Sequence, residues 1–155
     1  MNTPPQFQAR QVMQSRLVTI IAFAVAAVVI LLTITSLPSL SSDHLGGSML
    51  MAHMAASGAL VFGLPLLAVV GFSKMVHPTT SNRRQRFGFW LVLITGWVTI
   101  ATVFACMLPL FGTEAMHELM WIHGIAGFAM VPAVAVLCFG LVWIRKESNR
   151  SSNPG

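Results

Sequence analysis

Charged residues are scarce in this sequence: Asp, Glu, Lys and Arg make up only 8% of its 155 residues, whereas 55% are hydrophobic. A soluble domain usually carries about 25% charged residues, which solvate its surface. The shortage of charge therefore excludes a soluble globular domain, and the high apolar content excludes a disordered chain. A mean hydropathy of +0.77 and a length typical of one domain indicate a single integral membrane domain.

The chain also has no tyrosine and only two cysteines. The absence of tyrosine excludes tyrosyl chemistry. Cys106 lies near the end of the third apolar run, on the loop side without basic residues, and Cys138 lies toward the basic end of the fourth. Since much of the membrane thickness separates them, we predict no disulfide between them. No nucleophile triad or phosphate-binding glycine loop is visible, so an autonomous hydrolase or transferase is not expected.

Four apolar spans occur at about residues 17–37, 48–72, 87–108 and 117–144. Each reaches the roughly 20 residues that a helix needs to cross the hydrocarbon core of a bilayer. The runs are continuous rather than alternating, so they predict helices and not barrel strands. We expect an all-α, integral membrane four-helix bundle of up-down-up-down topology that uses residues 1–155 as one domain.

Basic residues fall in only three places: before the first span, between the second and third spans, and after the fourth. All nine are Arg10, Arg16, Lys74, Arg83, Arg84, Arg86, Arg145, Lys146 and Arg150. The positive-inside rule then predicts a multi-pass protein of the bacterial inner membrane with both termini in the cytoplasm. The polar tails, 1–14 and 147–155, would be cytoplasmic. Because the basic charge is explained by topology, no nucleic-acid partner is expected.

Two histidines, His53 and His123, lie inside apolar helical sequence, where a polar group usually marks a functional site. The second helix reaches His53 after roughly 9 Å and the fourth reaches His123 after roughly 13 Å, both counted from the outer side. Helices 2 and 4 are diagonal partners in the predicted bundle. The two imidazoles can therefore bracket a haem iron axially. His117 is a rival to His123, but it points about 120° away, so both cannot face the core.

Small residues follow both histidines: Ser57 lies one turn after His53, and Gly127 one turn after His123. Small residues let helices approach closely and would also leave room for a flat macrocycle. Segments 51–70 (MAHMAASGALVFGLPLLAVV) and 121–140 (WIHGIAGFAMVPAVAVLCFG) share a third-position histidine, small residues and then a proline. A duplicated hairpin would place its two histidines symmetrically.

With four spans, His53 in MAHMAASG and His123 in MHELMWIHGIAG, the sequence resembles the four-helix membrane b-type cytochromes. These include cytochrome b561-like proteins and the haem b membrane subunits of respiratory dehydrogenases. The resemblance implies one haem b, held by His53 and His123 beside Ser57 and Gly127. No CxxCH motif is present, which excludes covalent c-type attachment.

The function that follows is electron transfer, with the chain as a subunit of a larger membrane oxidoreductase complex rather than a complete enzyme. Its haem would exchange electrons between a quinone pool in the bilayer and a redox partner on the outer side. Quinol oxidation releases protons, and Asp43, His44, Glu114 and His117 are titratable groups expected at that face.

Two other functions stay open at this stage. A copper-handling protein would use the methionines near the outer histidines, because thioethers and imidazole suit Cu(I). A structural or assembly subunit would use its histidines only to bond neighbouring helices.

Overall fold

The computed structural model describes residues 5–40, 47–76, 83–108 and 112–151. Four helices account for almost all of this part of the chain: α1 (Pro5–Ser36), α2 (Gly47–Val76), α3 (Arg83–Met107) and α4 (Thr113–Ser151). A short 3₁₀ turn, Leu37–Leu40, continues from α1. All four helices are long and apolar enough to cross a membrane, and no strand occurs among the described residues. The predicted all-α four-helix fold is confirmed.

The helices are longer than the apolar runs from which they were predicted. Residues 5–14 and 147–151, expected as parts of polar tails, continue α1 and α4. These segments contain Gln, Arg and Glu, which favour helix and extend a helix that the apolar span has already nucleated. Pro5 stands at the first position of α1, where a proline ring fits. At the start of α4, the Met116 amide donates to the Gly112 carbonyl at 3.0 Å.

Each helix packs against two neighbours, in the cyclic order α1–α2–α3–α4. The contact between α3 and α4 is the most extensive, followed by α1 with α2 and α1 with α4, and α2 touches α3 least. The diagonal pairs, α1 with α3 and α2 with α4, have no close backbone contact in the described part of the chain. The predicted diagonal relation of α2 and α4 is therefore confirmed.

Consecutive helices run antiparallel. Along α3 and α4, Gly88 lies against Leu137, Gly96 against Met130, and Thr102 against His123, so the numbering rises on one helix as it falls on the other. We call the end where α2 ends and α3 begins the basic end. The opposite end, where α1 ends and α2 begins, holds His53 and His123, and we call it the histidine end.

Most large apolar side chains on the outside of the bundle are exposed, including Phe62, Val69 and Phe104. A surface of this kind requires an apolar solvent, and it identifies the bilayer as the environment of the protein. The buried core lies between the helices and includes Leu64, Leu67, Phe89, Val92, Met130 and Leu137. Cys106 and Cys138 are both free thiols, so the predicted absence of a disulfide is confirmed.

Glycines permit the closest helix contacts, and these are concentrated in the middle and basic end of the bundle. A Cβ atom added at Gly88 would lie 2.7 Å from the Leu137 backbone nitrogen, and one at Gly96 would lie 2.6 Å from the Met130 side chain. Gly140 packs against Gln85, whose side-chain amide donates to the Gly140 carbonyl at 3.0 Å. By contrast, a Cβ atom at Gly58 would have no neighbour within 4 Å in the described structure.

This contrast predicts opposite results for two glycine substitutions. Gly88→Ala places a methyl group against backbone atoms that have no rotamer to change. We expect it to lower the free energy of unfolding by about 1–3 kcal/mol. Gly58→Ala is the matched control and should cost less than about 0.5 kcal/mol. Denaturant unfolding of the purified protein in detergent, followed by circular dichroism, measures both. Equal stability of the two variants would contradict the close α3–α4 contact.

Candidate site at the paired histidines

His53 projects from α2 toward the last turn of α1, where its ring is half-buried. The Nδ1 atom of His53 lies 3.0 Å from the Thr35 hydroxyl and 3.3 Å from the Ser36 hydroxyl. Thr35 is only 2% exposed, so this contact is inside the bundle. An uncompensated polar group in an apolar environment is costly, and these hydroxyls supply the partner that the ring needs.

The hydrogen bonds around Thr35 and Ser36 determine which ring nitrogen of His53 carries a proton. The Ser36 hydroxyl lies 2.7 Å from the Leu32 carbonyl, and the Thr35 hydroxyl lies 2.9 Å from the Leu31 carbonyl. A hydroxyl has one proton, and a carbonyl only accepts. When both hydroxyls donate to these carbonyls, they accept from the ring, and Nδ1 of His53 is the donor. We predict this tautomer for neutral His53.

His123 projects from α4 toward the last turns of α3 and is half-buried in the same way. Its Nδ1 atom lies 3.1 Å from the Thr99 carbonyl and 3.2 Å from the Thr102 hydroxyl. Because a carbonyl oxygen has no proton to give, Nδ1 must be the donor. The Thr102 hydroxyl itself donates to the backbone, with the Val98 and Thr99 carbonyls each 2.9 Å away. Neutral His123 therefore also carries its proton on Nδ1.

The two halves of the site repeat one arrangement. In each hairpin, a threonine near the end of the first helix contacts the histidine near the start of the second: Thr35 with His53, and Thr102 with His123. This matches the sequence similarity between segments 51–70 and 121–140. Each hairpin thus supplies one imidazole, held by its own neighbouring helix.

Each histidine keeps its second ring nitrogen, Nε2, available. Neither Nε2 atom has a hydrogen-bond partner within the part of the chain that the structure describes. Since no fully buried side-chain nitrogen or oxygen among those residues lacks a partner, both Nε2 atoms border accessible space. An Nε2 lone pair with Nδ1–H bonded to a carbonyl or hydroxyl is the usual state of a metal-ligating histidine.

Open space also surrounds the small residues near this pair. A Cβ atom at Gly58, Gly124 or Gly127 would have no neighbour within 4 Å among the described atoms. The Ser57 hydroxyl donates to the His53 carbonyl at 2.8 Å, and Gly127 lies beside free space. That Ser57 and Gly127 bind a cofactor stays a prediction.

Of the four residues predicted as a quinone and proton site, the structure describes Glu114 and His117, and it places both on the exterior. Asp43 and His44 lie outside the described residues. Glu114 and His117 are exposed on the first turns of α4, where they line a shallow surface depression with Thr113 and Glu118. The His117 Nε2 atom accepts a hydrogen bond from the Trp121 indole at 3.3 Å. His117 therefore faces the exterior while His123 faces α3.

Six methionines lie near the histidine end. Met49, Met51, Met54, Met107 and Met120 are exposed, and Met116 is half-buried. Among the described residues, no group of three or more His, Cys, Asp and Glu side chains is arranged to hold a metal ion.

The hydrogen-bond partners of the two histidines were not predicted from the sequence; they are Thr35, Ser36, Thr99 and Thr102. Thr95, Thr99 and Thr102 follow at spacings of four and three residues, which places them on one face of α3. That spacing was the available signal. Comparison with models of known protein families, with curated proteins and with solved structures gives no match for this chain.

The hydrogen bonds of the pair predict an unusual tautomer that NMR can measure. In the metal-free protein above neutral pH, we expect His53 and His123 to carry the proton on Nδ1, with Nε2 unprotonated. Nitrogen-15 chemical shifts of the ring atoms distinguish the two tautomers, and His53→Leu and His123→Leu assign the signals. Protonated Nε2 on both rings would contradict the geometry.

Proposed function

We propose that the chain is a membrane-embedded b-type cytochrome subunit in which His53 and His123 are the axial ligands of one haem b. The observation that carries this proposal is the pair of accessible Nε2 atoms, one from each hairpin, with both Nδ1 atoms held by the neighbouring helix. Two such nitrogens fit a haem, because the macrocycle provides the other four ligands of the iron. The proposal agrees with the resemblance to four-helix membrane b-type cytochromes.

The chain's residues have distinct roles in this proposal. His53 and His123 would hold the iron, and the carbonyl and hydroxyls at their Nδ1 atoms fix the orientation and raise the basicity of the rings. The free space at Gly127, which lies one turn after His123 on the same face of α4, supports room for the macrocycle. When bound, haem b supplies a one-electron redox couple. The apolar exterior keeps this couple inside the bilayer, within reach of lipid-soluble donors.

The position of the basic residues supports an orientation. With all nine Lys and Arg at the basic end or in the adjoining tails, the positive-inside rule gives cytoplasmic termini in a bacterial inner membrane. The histidine end then faces outward, and the haem would exchange electrons between a quinone pool and a redox partner on the outer side. Glu114 and His117, with Asp43 and His44, would take part in proton release. We also propose that the chain assembles with other subunits in a larger membrane complex.

One observation favours a second function, that of a structural or assembly subunit. The hydrogen bonds from His53 to Thr35 and from His123 to Thr102 join α1 to α2 and α3 to α4 without any ligand. In a structural subunit, these bonds would be the whole purpose of the histidines. No comparable observation favours the copper-handling function, since no contact between a methionine and either histidine is found among the described residues.

Replacing the ligands separates these functions. Expressed in membranes and purified, the protein should show the absorption bands of a low-spin haem b with about one haem per chain. His53→Leu and His123→Leu should each lose at least about nine-tenths of that signal, since one axial ligand is missing. His117→Leu is the matched control and should retain it, because His117 faces the exterior. Full haem in His123→Leu, or its absence from the wild-type protein, would contradict the assignment.

The electron-transfer role needs a separate test with a reductant. Anaerobic addition of a short-chain quinol to the purified protein should give a reduced-minus-oxidised haem spectrum within seconds. His117→Ala should slow this reduction several-fold while leaving the haem content unchanged, because it removes a titratable group at the outer face. A haem that dithionite reduces but quinol never does would remove the quinone from the proposal and leave the ligand assignment intact.

A further inference from the structure

Three arginines stand at the start of α3. Arg83 and Arg84 are exposed, and Arg86 is half-buried. None of the three makes an ion pair or a hydrogen bond with another residue in the described part of the chain. A half-buried guanidinium at a membrane boundary has five donors to satisfy, and its planar fork can bind two oxygens of a phosphate group at once. Among the described residues, no anion satisfies these donors.

An exposed apolar stripe begins directly below these charges. At 100° per residue, Arg83 and Arg86 share one face of α3 with the side chains that follow them toward the membrane centre. Phe87, Trp90, Ile94 and Trp97 make up this stripe, and all four are exposed. Arg84 lies about 100° away from Arg83 around the helix axis, off the stripe. The surface therefore joins positive charge at one end to an apolar track about three turns long.

A second helix forms one wall of this surface. The Phe72 ring on α2 packs edge-on against Trp90, with ring centroids 6.4 Å apart. The Phe89 ring also packs against Trp90, and it lies against Gly71 of α2. The contact between α2 and α3 is the smallest of the four neighbouring helix pairs, and Phe72 and Trp90 lie exposed where these two helices meet.

We infer that this surface binds one anionic phospholipid. The phosphate accepts hydrogen bonds from Arg83 and Arg86, and an acyl chain lies along Phe87, Trp90 and Ile94 beside Phe72. Charge complementarity selects an anionic over a zwitterionic headgroup, and the apolar stripe selects a lipid over a free phosphate. This inference does not depend on the haem, since the site lies at the basic end, away from His53 and His123.

Native mass spectrometry of the intact protein tests it. The protein is released from mixed micelles containing equal amounts of phosphatidylglycerol and phosphatidylcholine with the same acyl chains. We expect one phosphatidylglycerol to be retained about tenfold or more over phosphatidylcholine, given the attraction of two arginines near the surface. Arg83→Gln with Arg86→Gln should bring this ratio close to one.

The control removes the same charge at the same end of the bundle. Arg16→Gln with Arg84→Gln changes two exposed arginines that lie off the stripe, and it should leave the ratio within about twofold. Circular dichroism checks that both double variants keep their helices. Equal loss of preference in the two variants would show diffuse charge attraction and overturn the site. A wild-type ratio near one would also overturn the site. Displacement of the lipid by millimolar glycerol 3-phosphate would overturn it as well, and this measurement needs no variant.

Discussion

The hydrogen bonds at the two Nδ1 atoms are the interaction on which the rest of the site depends. An imidazole in a hydrocarbon environment needs a partner for its N–H, and each hairpin provides one from the helix that precedes the histidine. Once Nδ1 donates, only Nε2 can act as a base or a ligand. The bond also limits rotation of the ring. The packing of two helices therefore leaves each histidine with one electron-pair donor, its Nε2 atom, before any ligand is bound.

Packing along the bundle explains why these donors border free space. In the middle and at the basic end, Gly88, Gly96 and Gly140 bring helices together until a single added methyl group would clash. Near the histidines, Gly58 and Gly127 have no such neighbours. The tight part supplies the dispersion contacts that hold a membrane bundle together. Because that part sets the positions of the helices, the helices need not pack closely against one another at the histidine end.

Much of the fold follows from hydropathy alone, because lipid restricts the chain to helices of a nearly fixed length. The four helices and the diagonal placement of α2 and α4 were predicted on that basis. The helix ends were not, since residues such as those of 5–14 continue a helix for local reasons that hydropathy does not register.

Within the site, His53 and His123 were recognisable because a histidine in an apolar span is rare. Thr35 and Thr102 were not recognised, because a threonine in a membrane helix usually bonds only to its own backbone. Both do so here, and their second role, as acceptors from a histidine, depends on the rotation of one helix against another. That rotation is set by side-chain packing across the bundle.

The central claim is that the two hairpins present their histidines to one iron atom. Electron paramagnetic resonance of the oxidised, purified protein tests this most directly, because the spectrum reports the spin state and the axial ligands of the iron itself. The account predicts a single low-spin species with two imidazole ligands, at about one haem per chain. A high-spin, five-coordinate signal, or a chain isolated without haem from cells that supply it, would contradict the account.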